Sequence, residues 1–177
     1  GGDGGHRIVE GKVNHDSHLE QPGRGLLGVG LFQIADRPFA VSELSHLPPN
    51  QWKAEAAPLY AFYGIGLQGW DAVYSFAMNS HQMADGWHNL SKYVVETPHY
   101  IGQFPALASA IHQGHLQQGD VASARHLSRD HVFSGKDPLG QSLAGGGYDA
   151  KELVGALSTP PSTLAIGRVT IQFGNGK

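Results

Sequence analysis

A glutamate that closes a short apolar run is the residue of this chain best placed to do chemistry. The run at residues 39–42 ends in Glu43, and a polar, proline-bearing loop follows it at residues 44–50. A helix-like stretch and a second strand-like run at residues 70–77 come next. In parallel α/β barrels the reacting groups sit at the C-terminal ends of the strands. Glu43 is therefore a candidate nucleophile or acid/base, the roles that carboxylates take in sugar chemistry.

Polar residues around the two strand ends extend this interpretation. Ser42 and His46 flank Glu43, and the second strand runs into Asn79. Because adjacent strand ends open into one pocket, His46 and Asn79 are candidate substrate-binding residues. The competing interpretation of Glu43 is structural: an acid that caps the following helix or pairs with an arginine.

The three tryptophans have different expected roles. Trp87 follows the loop after the second strand and is a candidate platform for a sugar face, with packing as the alternative. Trp70 begins that strand, at the end away from the expected site, and is predicted to lie in the core. Trp52 stands near a helix start and fits either role.

Composition limits the class of protein. At 177 residues and 40% hydrophobic content, the chain can form one domain with a core. A complete eight-stranded barrel needs about 250 residues.

The net charge of −3 and the lack of a basic run argue against a nucleic-acid partner. The longest apolar run, residues 25–35, is shorter than the ~20 residues of a membrane span. With no cysteine, disulfides and thiolate metal sites are excluded.

Periodicity and turn residues predict the order of elements. We expect a short helix within residues 25–35 and a buried strand at residues 39–44. A helix should run from Asn50, its cap, to about Gln68, with Gly69 ending it. A strand at residues 71–78, a helix at 100–116 and an alternating strand at 166–173 follow. After residue 118 short segments alternate with turns. We therefore divide the chain into residues 1–118 and a β-rich extension at 119–177.

Histidine spacing offers a rival chemistry. His15 and His18, like His112 and His115, are three residues apart, and Asp16 or Asp120 is near each pair. A metal hydrolase is the corresponding hypothesis, but neither pair stands in an HExxH frame, and such pairs are common on helix surfaces. No motif for a nucleotide or a nucleophilic serine is present. We therefore expect neither a cofactor nor a metal.

The chain resembles the last third of the catalytic domain of TIM-barrel glycoside hydrolases. The resemblance covers residues 30–125 and rests on RPFAVSE at 37–43, PN at 49–50, KAEAAPL at 53–59 and QGWD at 68–71. It is similar to the large clan of retaining β-glycosidases that includes β-galactosidase-like and agarase-like enzymes of environmental bacteria. In that clan the SE strand is barrel strand seven and the WD-aromatic strand is strand eight. The resemblance implies a partial (β/α)8 barrel that runs into a β-rich extension.

The same resemblance implies a mechanism and its missing parts. Glu43 matches the nucleophile of a retaining hydrolase of β-glycosidic bonds, acting on a poly- or oligosaccharide. The general acid belongs at the end of strand four, upstream of this chain. A histidine-bearing strand end precedes the SE strand in the family, which makes His6 a further candidate substrate-binding residue, with a solvated loop as the alternative. Leu44 departs from the family, where an aromatic is usual.

The segment is expected to depend on the rest of its parent barrel. The first residue is glycine, which suggests an internal piece, so the chain alone should be inactive. A secreted or periplasmic location would follow only from a signal peptide on the parent. The alternative function is a non-catalytic, carbohydrate-binding or structural relative of the barrel family. The sugar, the linkage and endo- or exo-action depend on loops after earlier strands.

Overall fold

The protein has a mixed α/β structure with small sheets of parallel strands. The computed structural model describes residues 15–20, 23, 25–44, 50–76, 96–136 and 159–174. Helix accounts for 41% and strand for 21%, in agreement with the α/β class; a TIM barrel is not shown by these ranges. No helix within them is long and apolar enough to cross a bilayer.

The N-terminal half forms a strand–helix–strand unit. Helix α1 (Gly25–Gly28) continues as a 3-10 turn (Val29–Phe32) and leads to β1 (Ala40–Leu44). A helical segment follows, then β2 (Ala72–Ser75). The two strands pair in parallel, with Ala40 opposite Ala72 and Val41 opposite Val73. Parallel pairing requires a crossover connection, and the helical segment supplies it.

The crossover ends at Gly69, where the sequence predicts, but its first helical residue is Lys53 and its N-cap is Trp52, so Asn50 is not the cap that the sequence predicted. A 3-10 turn (Lys53–Glu55) leads into α2 (Ala56–Pro58) and then into a π-helix (Leu59–Gln68). The Asn50 side-chain oxygen accepts a hydrogen bond from the Trp52 backbone N–H at 2.7 Å, an Asx turn at the helix start. Gly69 ends the helix in the left-handed region, with φ of 70°.

The described part of the C-terminal half contains four helices and a second pair of parallel strands. Helices α3 (Pro98–Ile101) and α4 (Phe104–His112) are followed by β3 (Val121–Leu127) and α5 (Arg129–Phe133). Helix α6 (Thr163–Ile166) precedes β4 (Arg168–Phe173). Strand β3 pairs with one edge of β4, from Val121 opposite Arg168 to Leu127 opposite Phe173. Ile34 forms a parallel bridge to Ile171 on the other edge.

The core lies between the crossover helix, α1 and the first sheet. Trp70 is 2% exposed and packs edge-to-face on Tyr63, which confirms that this tryptophan is a core residue. A Cβ at Gly64 would lie 2.6 Å from a Trp70 ring carbon, so the close approach of ring and helix requires glycine there. The buried members of the core are Leu26, Leu27, Val41, Ala56, Ala57, Tyr60, Tyr63, Trp70 and Tyr100.

Two strand predictions were wrong in their burial. Strand β1 was expected to be buried, yet only Val41 is buried, because β1 has a single strand neighbour among the described residues and one covered face. Strand β4 was expected to alternate, yet Val169, Thr170 and Ile171 are all buried. Strand β4 lies between β3 and the segment around Ile34, and the first 3-10 turn, the π-helix and α6 pack against it, so residues on both of its faces are buried.

A single glutamine ties the C-terminal strand to the crossover. Gln68 is fully buried, and its side-chain amide donates to the carbonyl oxygens of Leu164 at 3.0 Å and Gly167 at 2.8 Å. Its side-chain oxygen accepts from the Val169 N–H at 3.2 Å. The Gln33 side chain donates to the Gln68 backbone carbonyl. The described part of the C-terminal extension is therefore packed on the strand–helix–strand unit.

Candidate functional site

Glu43 lies at an irregularity near the C-terminal end of β1. The pairing passes from Val41 opposite Val73 to Leu44 opposite Ser75, so Ser42 and Glu43 together oppose the single residue Tyr74. Such a bulge redirects side chains and is common beside active sites. Both Ser42 and Glu43 are exposed.

Little in the described part of the chain restrains the Glu43 carboxylate directly. The Glu43 carboxylate makes no hydrogen bond or ion pair with another residue of the described ranges, so a cap or arginine partner is not seen there. Tyr74, opposite the bulge, is 60% exposed. An accessible carboxylate at the edge where two parallel strands end is chemically suited to meet a ligand from solution.

The other predicted site residues fall outside the described ranges. His46 follows Leu44 in the segment 45–49, and Asn79 and Trp87 belong to the segment 77–95. His6 precedes residue 15, where the description begins. Their placement around Glu43 stays a prediction from the sequence.

A buried polar cluster that the sequence did not predict lies behind the strand ends. The Ser75 and Tyr100 hydroxyls are 2.5 Å apart, and either can donate. The Tyr60 hydroxyl donates to the Leu44 carbonyl oxygen at 3.3 Å. The Lys53 ammonium lies 4.8 Å from the centroid of the Tyr100 ring, a cation–π arrangement.

Burial controls the electrostatics of this cluster. Lys53 is 1% exposed, and desolvation lowers its pKa to about 8, although the buried Glu96 partly offsets the effect. Burial also raises the pKa of the Tyr60 and Tyr100 hydroxyls, which therefore stay protonated and can donate hydrogen bonds. Burial and the nearby Lys53 charge lower the pKa of His99.

One sequence signal for the buried lysine existed. Lys53, Ala56, Ala57 and Tyr60 recur at helical spacing, and all four are buried. If the helix already includes the lysine, helical spacing places its side chain on the same inward face as the other residues of this stripe. Nothing local to Ser75 or Tyr100 indicates that their hydroxyls meet.

The histidine pairs do not form a metal centre in the described part of the chain. No three histidine, aspartate or glutamate side chains within those ranges are grouped so as to hold a metal ion. The Nδ1 atom of His15 accepts from the Gln51 N–H at 3.2 Å, and that of His18 accepts from the Leu26 N–H at 3.3 Å. These two imidazoles therefore dock the segment 15–20 on the helical elements.

Comparison of the chain with protein-family models, with curated proteins and with solved structures found no match in any of the three. A functional assignment therefore depends on the residues and geometry of the chain itself.

Proposed function

We propose that this chain is the C-terminal part of a (β/α)8 glycoside hydrolase that cleaves β-glycosidic bonds with retention, with Glu43 as its nucleophile. The observation that carries the proposal is the parallel strand–helix–strand unit with an exposed glutamate at a bulge by its C-terminal edge. In the barrel architecture this edge is where catalytic residues lie.

The unpaired edges of the first sheet support the barrel part of the proposal. Within the described ranges β1 and β2 pair only with each other, so each strand has one edge without a strand partner. Further parallel strands from the remainder of the parent barrel would satisfy these backbone groups. The motif that resembles barrel strand seven overlaps β1, and QGWD, which resembles the start of strand eight, directly precedes β2.

The proposed chemistry follows from a carboxylate at this position. Glu43 attacks the anomeric carbon and forms a covalent glycosyl-enzyme, while a second carboxyl group protonates the leaving oxygen. That group stands roughly 5–5.5 Å from the nucleophile in retaining enzymes and is expected on an earlier strand of the parent. The same group then deprotonates the water that hydrolyses the intermediate, which restores both carboxyl groups.

A mechanism-based label tests the assignment. A fluorinated glycoside that traps retaining nucleophiles, applied to the longest obtainable parent protein, should modify the peptide that contains Ser42 and Glu43. Peptide mass mapping locates the label. The absence of label on a folded parent, across several sugars, would move the assignment to a non-catalytic, carbohydrate-binding relative.

Substitution of the nucleophile separates catalysis from binding. Glu43→Gln keeps the size of the side chain but removes the nucleophilic oxygen, so hydrolysis should fall by more than about a thousandfold while oligosaccharide binding survives. Glu20→Gln is the matched control, since Glu20 is also exposed and lies outside the first sheet. Equal activity of Glu43→Gln and wild type would refute the role of Glu43. Elemental analysis addresses the metal-hydrolase alternative, which a metal-free active protein would exclude.

A further inference from the structure

Three hydroxyls, those of the buried Tyr60 and Tyr100 and of the partly buried Ser75, connect the ends of the two strands near the glutamate. We name Tyr60, Ser75 and Tyr100 the hydroxyl clamp. The Tyr60 hydroxyl bonds the Leu44 carbonyl at 3.3 Å, and the Ser75 and Tyr100 hydroxyls are 2.5 Å apart. The two tyrosine rings meet edge-to-face, with centroids 6.4 Å apart.

The hydroxyl clamp acts on the last pair of the first sheet within the described residues. Leu44 and Ser75 are register partners, so the clamp holds one group on each strand of this pair. The Leu44 carbonyl also accepts the Phe76 N–H at 2.9 Å, and its two acceptor sites are therefore both used. The final rung of the sheet is fixed by side chains as well as by the backbone ladder.

This rung fixes the backbone from which the Glu43 side chain projects. Glu43 lies within the bulge, between the pair Val41–Val73 and the pair Leu44–Ser75. A bulged residue has no ladder partner of its own, so its direction is set by the pairs on either side. Val41 is fixed by burial in the core, and Leu44 is fixed by the clamp.

A buried charge supports the clamp from behind. The Lys53 ammonium faces the Tyr100 ring at 4.8 Å, and Tyr100 is only 1% exposed. The ring is also packed against Tyr60 and Phe104 in edge-to-face contacts. Tyr100 is therefore held on several sides, and its hydroxyl has a defined position.

We propose that the hydroxyl clamp is a positioning device for Glu43, which holds the strand backbone that carries the carboxylate without touching the substrate. The inference rests on the proposed function, because it concerns the geometry of the proposed nucleophile. Tyr60 and Tyr100 are buried and cannot stack on a sugar, so they act through the strand ends. Positioning matters because a displacement of about 1 Å costs on the order of a hundredfold in rate.

The test compares phenylalanine variants within the parent protein. Tyr60→Phe and Tyr100→Phe remove one clamp hydroxyl each and keep the rings. Tyr63→Phe is the matched control: its hydroxyl is also buried and donates to the Leu27 carbonyl at 2.6 Å, but it packs on Trp70 rather than at the strand ends. The measured quantities are the maximal rate of trapping by the fluorinated glycoside, its half-saturating concentration and the melting temperature.

The clamp variants and the control should differ in rate rather than in stability. We expect trapping to slow by about tenfold to a hundredfold in Tyr60→Phe and Tyr100→Phe, with the half-saturating concentration unchanged. The melting temperature of Tyr63→Phe should fall by about as much as that of the clamp variants, but the fluorinated glycoside should label it at the wild-type rate. If a tyrosine variant does not fold, Ser75→Ala decides, because it deletes the bond to Tyr100 from the other partner.

Each outcome has a distinct meaning. If the wild type is labelled and the clamp variants are labelled as fast as Tyr63→Phe, the positioning role of the clamp is refuted, but the proposed function is not. An unlabelled wild type would overturn the proposed function, and the catalytic role of the clamp with it. Slower trapping in Tyr63→Phe as well would show a general effect of stability and would also overturn the clamp.

Discussion

The buried lysine behind the strand ends gives a pH dependence of stability with an unusual sign. Burial lowers the pKa of Lys53 from 10.5 to about 8. The folded state therefore disfavours the ammonium, and between these two values the unfolded chain binds more protons than the folded chain. Stability must rise with pH in this window, because deprotonation in the folded state relieves the desolvation penalty.

The size of the effect follows from the shift. A pKa lowered from 10.5 to about 8 corresponds to about 3 kcal/mol, at about 1.4 kcal/mol for each unit. About 2 kcal/mol of this is recovered between about pH 7 and about pH 9.5. Burial raises the pKa of Tyr60, Tyr63 and Tyr100. The stability that these protonated hydroxyls contribute is therefore fully present below about pH 10 and is lost above it. Ionisation of these tyrosines in the unfolded chain subtracts about 0.5 kcal/mol by about pH 9.5.

The assay is reversible unfolding in urea at several pH values, together with thermal melting. The net gain should be about 1.5 kcal/mol by about pH 9.5, or about 3–6 °C in melting temperature, with a decline at higher pH. The chain itself serves as the sample, or its parent protein if the chain associates. A ¹³C NMR titration of the lysine side chains should show one midpoint near 8.

Two variants identify the group responsible. Lys53→Met should abolish the rise, whatever its effect on absolute stability, because the titrating amine is gone. Lys136→Met is the control, since Lys136 is exposed and should keep the wild-type slope. A wild-type stability that is flat or falls from about pH 7 to about pH 9.5, or a rise that persists in Lys53→Met, would refute this account of the buried lysine.

Three further outcomes are expected. Gln68→Leu should lower the free energy of unfolding by about 3 kcal/mol or more in urea titrations, because three buried hydrogen bonds lose their partner; a loss under about 1 kcal/mol would contradict this. Gly64→Ala should cost about 1–3 kcal/mol and alter the near-ultraviolet dichroism of Trp70, since its Cβ would overlap the ring. Gly114→Ala, whose Cβ meets nothing within 4 Å, should leave that signal unchanged. The isolated chain should be oligomeric or poorly soluble through its open strand edges, and light scattering that shows a cooperatively melting monomer would argue against it.

Local sequence signals predicted the first half of the fold well. Residues 39–44 and 71–78 were predicted as strands, and β1 and β2 lie within them. Gly69 was predicted to end the helix, and its left-handed conformation does so. These features depend on a few neighbouring residues, whose backbone preferences do not need the rest of the chain.

Long-range features were not predictable in the same way. The bulge at Ser42 and Glu43 arises from the register with β2, about thirty residues along the chain. The hydrogen bonds from Gln68 to Leu164 and Gly167 span 96 and 99 residues. No local pattern marks such partners, because many polar side chains are equally able to make the contact until the fold brings one pair together.

The sequence by itself determined the order of strand, helix and strand, the core position of Trp70 and the presence of a glutamate near a strand end. Backbone preference and apolar periodicity are properties of short segments, so the sequence alone is enough to predict them. Only the tertiary structure decided that Glu43 stands in a bulge, that Tyr60, Ser75 and Tyr100 converge behind it, and that Lys53 is buried among them. Strand register, the meeting of distant hydroxyl groups and the desolvation of a lysine all depend on contacts between distant segments, so they are fixed only when the chain folds.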